Sequence, residues 1–221
     1  NMTVLVYGEW PGQSKNAKSF YTASFSEEVI LRVQEKEFKA PYHFVFVGNL
    51  VPGKGLKMAL NVIQGMQEKG EECCMEIYGE GPERKPMENY VESAGIKGIK
   101  FEGNRSLEEL ELAYQEAHFV ILPSKSEGWP KAVAEGMFFG CIPVVTDVSC
   151  VRWMLGDGER GVILEGRGQM TEDRIFEENL ERILELLGDE ERMQGMSRAA
   201  KEWSQQYTLE RFEEGIREVL R

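Results

Sequence analysis

Two glutamates in the stretch SEGWPKAVAE, residues 126–135, are the first candidates for chemistry. Glu127 and Glu135 have seven residues between them, and Pro130 is one of the seven. Proline has a preset φ and no N–H to lose, so we place Pro130 at the first position of a helix. Glu127 then lies in the loop before the helix, and Glu135 lies in its second turn.

This arrangement suits an anion that carries hydroxyl groups on either side. The free N–H groups at the start of a helix favour an anion such as phosphate. Carboxylates accept hydrogen bonds from the hydroxyls of a diol. A nucleotide sugar fits both requirements, whereas for two glutamates taken alone the simpler interpretation is an exposed loop residue and an ordinary helical residue.

Two further loops carry candidate groups. GNLVPGKG, residues 48–55, is rich in glycine and places Lys54 beside a helix start, which suits a phosphate. It is not a Walker loop, because no Ser or Thr follows Lys54, and a tight turn with a solvated lysine is the alternative. EGNRS, residues 102–106, offers Asn104 and Arg105 to a base or a ribose, or is a surface turn.

Short apolar runs alternate with amphipathic stretches along the chain, which is typical of strands and helices that alternate on a parallel sheet. The predicted strands are residues 43–48, 73–79, 98–103, 118–124, 142–146 and 160–165. In such sheets ligands bind beyond the carboxyl ends of the strands, where the candidate loops lie. We therefore expect an α/β fold: a Rossmann-like, doubly wound parallel sheet of about six strands flanked by helices.

The predicted helices include residues 54–70, 106–117, 172–187, 189–206 and 208–219. Ser106 and Glu109 have the spacing of a capping box. The first 42 residues differ, because they are rich in Gly, Ser and Asn and contain one strand candidate, TVLVY. A helix from Ser26 to Lys36, capped by Ser26, leads to the sheet. We predict a linker over residues 1–42 and a domain over residues 43–221.

Composition excludes several classes of function. The 221 residues are 42% hydrophobic and 29% charged, which favours one larger globular unit. A net charge of −12 argues against nucleic acid as a partner, and an anionic ligand must meet a local basic site. The four cysteines and two histidines have no metal-ligand or disulfide-framework spacing, so no metal site is predicted.

No signal peptide and no apolar run of the ~20 residues that a membrane helix needs is present. We therefore expect a cytoplasmic protein. Association with the inner face of a membrane is a further expectation, and it would require a domain outside the chain.

From residue 44 onward the chain resembles the C-terminal domain of the retaining GT-B glycosyltransferases of family 4, or group 1. The matching segments are FVFVGNLVPGKG, IYGEGPE, FEGNRSLEELELAY, AHFVILPSKSEGWPKAVAEGMFFGCIPVVT and RGVIL. The glutamate pair is the most specific mark of the family. The resemblance implies the C-terminal half of a GT-B fold and a hexosyltransferase type of activity. The donor would be a nucleoside-diphosphate sugar and the acceptor a hydroxyl of a glycan or lipid-linked glycoconjugate, with no metal or other cofactor.

The resemblance also implies roles for individual residues. Glu127 contacts hydroxyls of the donor sugar, Glu135 binds the ribose diol, and Lys54 neutralises the diphosphate as it leaves. Glu127 and Lys54 are the implied catalytic residues. The further donor-binding residues are Gly48, Asn49, Asn104, Arg105, Gly128, Trp129, Pro130 and Lys131.

The chain departs from the family pattern at two places. Asn49 stands where an arginine usually binds the diphosphate, and a neutral amide cannot replace that charge. Arg105, Lys125 and Lys131 are candidates for the missing cation, and the sequence does not choose among them. Trp129-Pro130 replaces Phe-Gly or a similar pair, which removes one backbone amide.

The family also places its acceptor site in an N-terminal domain of comparable size, and no such domain precedes residue 43. We therefore expect the donor-binding half of a longer enzyme, inactive alone, with the closing segment TLERFEEGIREVLR packing toward the missing half. One alternative is a nucleotide-sugar-binding module without catalysis. The alternative that we rank last is a GT-B-shaped epimerase, because such an enzyme should lack the glutamate pair.

Overall fold

The computed structural model of the chain, which describes residues 3–10, 12–165 and 171–220, alternates strands and helices. The strands are β1 Val4–Tyr7, β2 Ala17–Phe20, β3 Tyr42–Val47, β4 Cys73–Tyr78, β5 Ile99–Gly103, β6 Phe119–Leu122, β7 Ile142–Thr146 and β8 Val162–Leu164. The helices are α1 Glu27–Ile30, α2 Leu56–Glu68, α3 Arg84–Ala94, α4 Leu107–Glu116, α5 Lys131–Phe138, α6 Val151–Met154, α7 Glu172–Leu187, α8 Glu190–Ser204 and α9 Leu209–Val219.

Within the described residues, six parallel strands form the central sheet in the spatial order β5-β4-β3-β6-β7-β8. Chain order reverses between β3 and β6, where Phe44 lies beside Phe119. β6 and β7 are buried along their whole length, as central strands are when helices cover both faces. The predicted α/β fold with a six-stranded parallel sheet is confirmed, and the predicted strand ends are displaced by at most two residues.

Apolar side chains pack against both faces of this sheet. On one face, α2 buries Leu60, Ile63 and Met66 completely. On the other, Tyr114 of α4 stacks on Phe139, with ring centroids 6.1 Å apart. Each fully buried side chain of this kind stabilises the fold by roughly 1.5–3 kcal/mol. The two layers fix the strand ends and therefore the loops that follow them.

The start of α4 confirms the predicted capping box. The Glu109 N–H donates to the Ser106 hydroxyl at 3.2 Å, and the Ser106 N–H donates to the Glu109 carboxylate at 2.8 Å. This reciprocal pair satisfies two amides that have no partner within the helix. α4 therefore begins directly after the turn that carries Asn104 and Arg105.

The first 42 residues differ from the prediction in two ways. β2, absent from the prediction, pairs in parallel with β1. The helix predicted from Ser26 to Lys36 ends at Ile30, and no side-chain cap forms at Ser26 among the described residues. Lys36 is instead buried and donates to the carbonyls of Tyr114 and Gln115, each at 2.8 Å. These tertiary contacts outweigh local helix propensity.

Parts of the predicted segments lie outside the described residues: positions 1, 2 and 11 of the linker and Arg221 of the closing segment. Phe25 and Val29 pack into the core beneath α4 and α5. The boundary at residue 42 stays a prediction. None of the described helices combines the length and apolar character needed to cross a bilayer.

Candidate functional site

The loops that follow β3 and β6 lie against each other because these strands are neighbours. The Lys125 N–H donates to the Gly53 carbonyl at 2.8 Å. Gly55 has a φ of 76°, and a Cβ there would lie 2.1 Å from the Pro123 carbonyl oxygen. Glycine accepts both this left-handed backbone and the close approach. The loop that carries Lys54 is therefore fixed against the loop of residues 123–130.

Lys54 and Glu127, the two predicted catalytic residues, form an ion pair across these loops. The Lys54 ammonium lies 2.7 Å from a Glu127 carboxylate oxygen, and the side chains are 28% and 9% exposed. At this separation the contact is a charge-assisted hydrogen bond. The fold thus brings together two residues that are 73 positions apart in the chain.

Glu135 is buried in the second turn of α5 and makes a separate set of contacts. One carboxylate oxygen accepts the Ser24 hydroxyl at 2.5 Å, and the other accepts the Tyr114 hydroxyl at 3.0 Å. The Lys131 ammonium lies 3.6 Å away. Burial, reinforced by the neighbouring carboxylate, raises the pKa of the Tyr114 phenol well above its usual range. Tyr114 therefore remains a donor that fixes the Glu135 side chain.

α5 starts one residue later than predicted. Its first helical residue is Lys131, and Pro130 is the N-cap, with a ψ of 79° that is outside the helical range. The Pro130 carbonyl accepts the N–H groups of Val133 and Ala134 at 3.0 and 3.1 Å. The prediction of Pro130 at the first helical position is wrong by one residue. No side chain among the described residues caps this helix, so the amides of Lys131 and Ala132 remain for a ligand.

Trp129 is 7% exposed and packs away from solvent in an aromatic cluster. The members of this cluster are Tyr7, Tyr21, Trp129, Trp153, Trp203 and Tyr207. The ring centroid of Trp129 lies 5.7 to 6.5 Å from those of the other five side chains. The cluster joins the loop before α5 to the β1–β2 ribbon and to the end of α8. Trp129 therefore holds the loop before α5 in place by packing into this cluster.

Ser149 is a contact of the same loop that the sequence did not suggest. Its hydroxyl donates to the Gly128 carbonyl at 2.7 Å, and its φ of 52° is unusual for a residue other than glycine. Strained backbone of this kind is often found at functional sites. The sequence signal that could have identified Ser149 was its position just beyond the carboxyl end of β7.

The remaining predicted residues follow β3 and β5. The Gly48 N–H donates to the Tyr78 carbonyl at 2.9 Å, and Asn49 is exposed. Arg105 lies 2.7 Å from Glu102 and 3.7 Å from Glu109, while Asn104 is exposed.

Gly79 connects these two turns. Its N–H donates to the Gly103 carbonyl at 2.8 Å, and a Cβ at Gly79 would lie 2.0 Å from the Gly48 carbonyl oxygen. The turns after β3, β4 and β5 are therefore in contact.

A cavity of about 1020 Å³ lies beside the loops after β3 and β6. Its wall includes Gly55, Lys57, Ser124, Lys125 and Thr146 but none of the residues predicted to bind a donor. The Ser124 hydroxyl is buried and has no hydrogen-bond partner among the described residues. The sequence suggested the loop of residues 48–55 and Lys125 but not the rest of this wall, because the wall combines loops from several strands.

Metal-binding chemistry has no candidate cluster in the described residues. No group of three or more His, Cys, Asp or Glu side chains is placed there to hold an ion. The four cysteines are free thiols. The His118 ring is engaged at both nitrogens, because Nδ1 accepts the His43 N–H and Nε2 donates to the Glu37 carbonyl, each at 2.9 Å.

Comparison with known families gives a match over most of the chain. Residues 28–203 match the family model described as glycosyl transferases group 1. An uncharacterized glycosyltransferase of Methanocaldococcus jannaschii is 27% identical over 80% of this chain and 48% of its own length. A D-inositol 3-phosphate glycosyltransferase of Corynebacterium diphtheriae is 28% identical over 74% of this chain and 38% of its own. The chain spans about half the length, or less, of these curated relatives.

Solved structures show the same fold. The pneumococcal O-GlcNAc transferase GtfA in complex with UDP and GlcNAc superimposes with a TM-score of 0.73 at 17% identity, covering 95% of this chain and 41% of that one. The C-terminal domain of a glycosyl transferase group 1 family protein from Francisella tularensis gives a TM-score of 0.65 at 18% identity. That comparison covers 86% of this chain and 96% of the other.

Proposed function

The chain belongs to the group 1 glycosyltransferase family, and from this membership we propose that it is the donor-binding half of a retaining enzyme. The enzyme transfers a hexose from a nucleoside-diphosphate sugar to a hydroxyl of a glycan or glycoconjugate. The alignments support a half, because the chain covers 48% of one relative and nearly all of a C-terminal domain. In this proposal an N-terminal domain supplies the acceptor site, and the chain alone does not catalyse transfer.

The observation that carries the proposal is the Lys54–Glu127 pair beside the uncapped start of α5. Cleavage of the donor leaves negative charge on the diphosphate. In this proposal the Lys54 ammonium and the amides of Lys131 and Ala132 stabilise that charge, without the reorganisation that water would need. Glu127 positions Lys54 and offers its remaining lone pairs to hydroxyls of the sugar. Protein groups thus stabilise the leaving group, and no metal ion takes part in the proposed step.

Glu135 receives the ribose in this proposal. A carboxylate has about four acceptor positions, and Ser24 and Tyr114 each occupy one. The two donors hold the carboxylate in a single orientation, and the Lys131 ammonium lies 3.6 Å from the oxygen that accepts Ser24. The acceptor position offered to the ribose diol is therefore on the oxygen that accepts Tyr114. Preorganisation of this kind lowers the entropic cost of binding.

A second candidate is a nucleotide-sugar-binding module without catalysis. The observation that favours it is the weak positive charge at the diphosphate position, where Asn49 is neutral and Lys54 is paired with a carboxylate. Such a site would bind a donor and stabilise its leaving group poorly.

Calorimetric titration of the chain with UDP, GDP, ADP and their sugar conjugates tests the shared part of both proposals. We expect one nucleotide series to bind and the Glu135→Ala variant to lose that binding. Glu116→Ala, which removes an exposed carboxylate at the end of α4, should bind normally. Absence of binding for every nucleotide would exclude both proposals. Sugar transfer by this chain alone would contradict its role as an incomplete half.

A further inference from the structure

The positive charge available to a diphosphate is smaller than the number of nearby cations suggests. Asn49 is neutral where the family pattern has an arginine. The Lys54 ammonium is already 2.7 Å from the Glu127 carboxylate, in a largely buried pair. Opposite charges at this distance cancel most of each other's field. A second cation beside Lys54 would therefore add to the positive charge that a diphosphate meets.

Two of the three candidate cations are also paired with carboxylates. Arg105 lies 2.7 Å from Glu102 and 3.7 Å from Glu109. Lys131 lies 3.6 Å from the buried Glu135 carboxylate. A ligand would have to compete with these carboxylates for either charge.

Lys125, the third candidate, forms no ion pair with any described carboxylate, and its side chain is exposed. Its N–H donates to the Gly53 carbonyl at 2.8 Å, so its backbone is held one residue from Lys54. It also lines the 1020 Å³ cavity, whose wall carries Lys57 and the carboxylates of Glu83, Asp147, Glu165 and Glu172. Lys125 is therefore exposed and unpaired among the described carboxylates, and its backbone contacts the loop that carries Lys54.

We infer that Lys125 binds the diphosphate of the donor and supplies the charge that Asn49 lacks. The inference rests on the proposed function, because it takes a nucleoside diphosphate as the ligand. Lysine acts as a hydrated point charge, whereas arginine binds phosphate with a rigid fork. Lys125 therefore neutralises the diphosphate without orienting it, and the amides of Lys131 and Ala132 at the start of α5 set its orientation.

The test is calorimetric titration of the chain with UDP, GDP and ADP, comparing wild type with Lys125→Ala. Loss of a charged contact to phosphate should weaken binding of the preferred nucleotide at least about tenfold. Lys125→Arg should bind within about threefold of wild type, because it retains the charge. Adding Asn49→Arg to Lys125→Ala should restore most of the lost affinity, since it returns a cation to the neighbouring loop.

Lys97→Ala is the matched control, because it removes an exposed lysine just before β5, at the opposite ends of the strands, and should bind like wild type. Equal binding by Lys125→Ala and wild type would overturn the inference and leave the proposed function standing. A loss that Asn49→Arg and Lys125→Arg both fail to restore would also overturn it, because it would indicate disturbance of the loop rather than loss of charge. If no nucleotide binds wild type, the proposed function itself fails.

Discussion

The Lys54–Glu127 pair presents a cation at the site before a ligand arrives. Removing either partner has different local effects: Lys54→Ala removes the charge, while Glu127→Gln keeps the shape but frees the ammonium to move. In the longer enzyme proposed above, each change should lower turnover at least about tenfold, because a preorganised electrostatic contact typically contributes ~10²–10³ in rate. Steady-state sugar transfer measures this effect.

A surface ion pair provides the control for that experiment. Lys85 lies 3.4 Å from Glu88 on α3, and its side chain is 78% exposed. Lys85→Ala should leave turnover unchanged, because exposed pairs of this kind contribute little. Near-normal turnover in both Lys54→Ala and Glu127→Gln would contradict their assigned roles.

His118 should make stability depend on pH. Burial lowers the pKa of its ring to about 4, and Nδ1 already accepts the His43 N–H. The folded state therefore resists a proton that the unfolded state takes up below about pH 6.5. Stability from this group is complete above that pH and is lost as the pH falls toward 4. After allowance for partial solvent screening, the loss is roughly 2 kcal/mol.

Urea unfolding at a series of pH values measures the acid loss. His118→Gln should flatten the profile between pH 6.5 and 4, whereas His43→Gln retains the buried ring and should keep the loss. Parallel profiles for wild type and His118→Gln would show that another group is responsible.

At the scale of elements, the loop before α2 requires glycine at position 55 for two reasons: a left-handed backbone and a close approach to Pro123. Comparison with Gly95 separates the two effects. Gly55 and Gly95 have φ values of 76° and 66°, but a Cβ at Gly55 would meet Pro123 while one at Gly95 has nothing within 4 Å. Gly95→Ala should cost about 1 kcal/mol of stability, the usual penalty for a left-handed non-glycine residue. Gly55→Ala should cost more and should also weaken nucleotide binding, because it separates the two loops.

Urea unfolding and nucleotide titration of both variants make the comparison. If Gly55→Ala retains wild-type nucleotide affinity, contact between the loops is not needed for binding.

Local patterns were sufficient to predict the six strands of the central sheet, the capping box at Ser106 and the position of the candidate loops. They could not reveal the partners of Glu135, because Ser24 is 111 residues away and Tyr114 is 21 away. The end of α1 at Ile30 was missed for the same reason, since the contacts of Lys36 with α4 are tertiary. The left-handed backbone of Ser149 is likewise invisible in a residue type that normally avoids it.

At the scale of the whole molecule, the aromatic cluster connects the N-terminal ribbon, the loop before α5 and the C-terminal helices. Trp203 of α8 lies 6.3 Å from Trp129 and 4.6 Å from Tyr207, measured between ring centroids. Trp203→Ala should lower the free energy of unfolding by roughly 3 kcal/mol, as for other large-to-small changes in packed sites. It should also weaken nucleotide binding, because Trp129 loses its support.

Trp10 is the matched control, since its side chain is 47% exposed. Trp10→Ala should change stability by less than about 1 kcal/mol and leave nucleotide affinity unaltered. Equal effects of the two substitutions, measured by urea unfolding and calorimetry, would contradict a supporting role for the cluster.

The pairing of Lys54, Arg105 and Lys131 with carboxylates affects the approach of an anionic ligand as well as its binding. A chain of net charge −12 repels a nucleotide at long range, and the paired cations do little to reverse that field. Attraction toward Lys125 begins only within about one Debye length, ~8 Å at physiological salt. Diffusional encounter is therefore opposed until the last step, so moderate salt should speed association by shortening the reach of the repulsion.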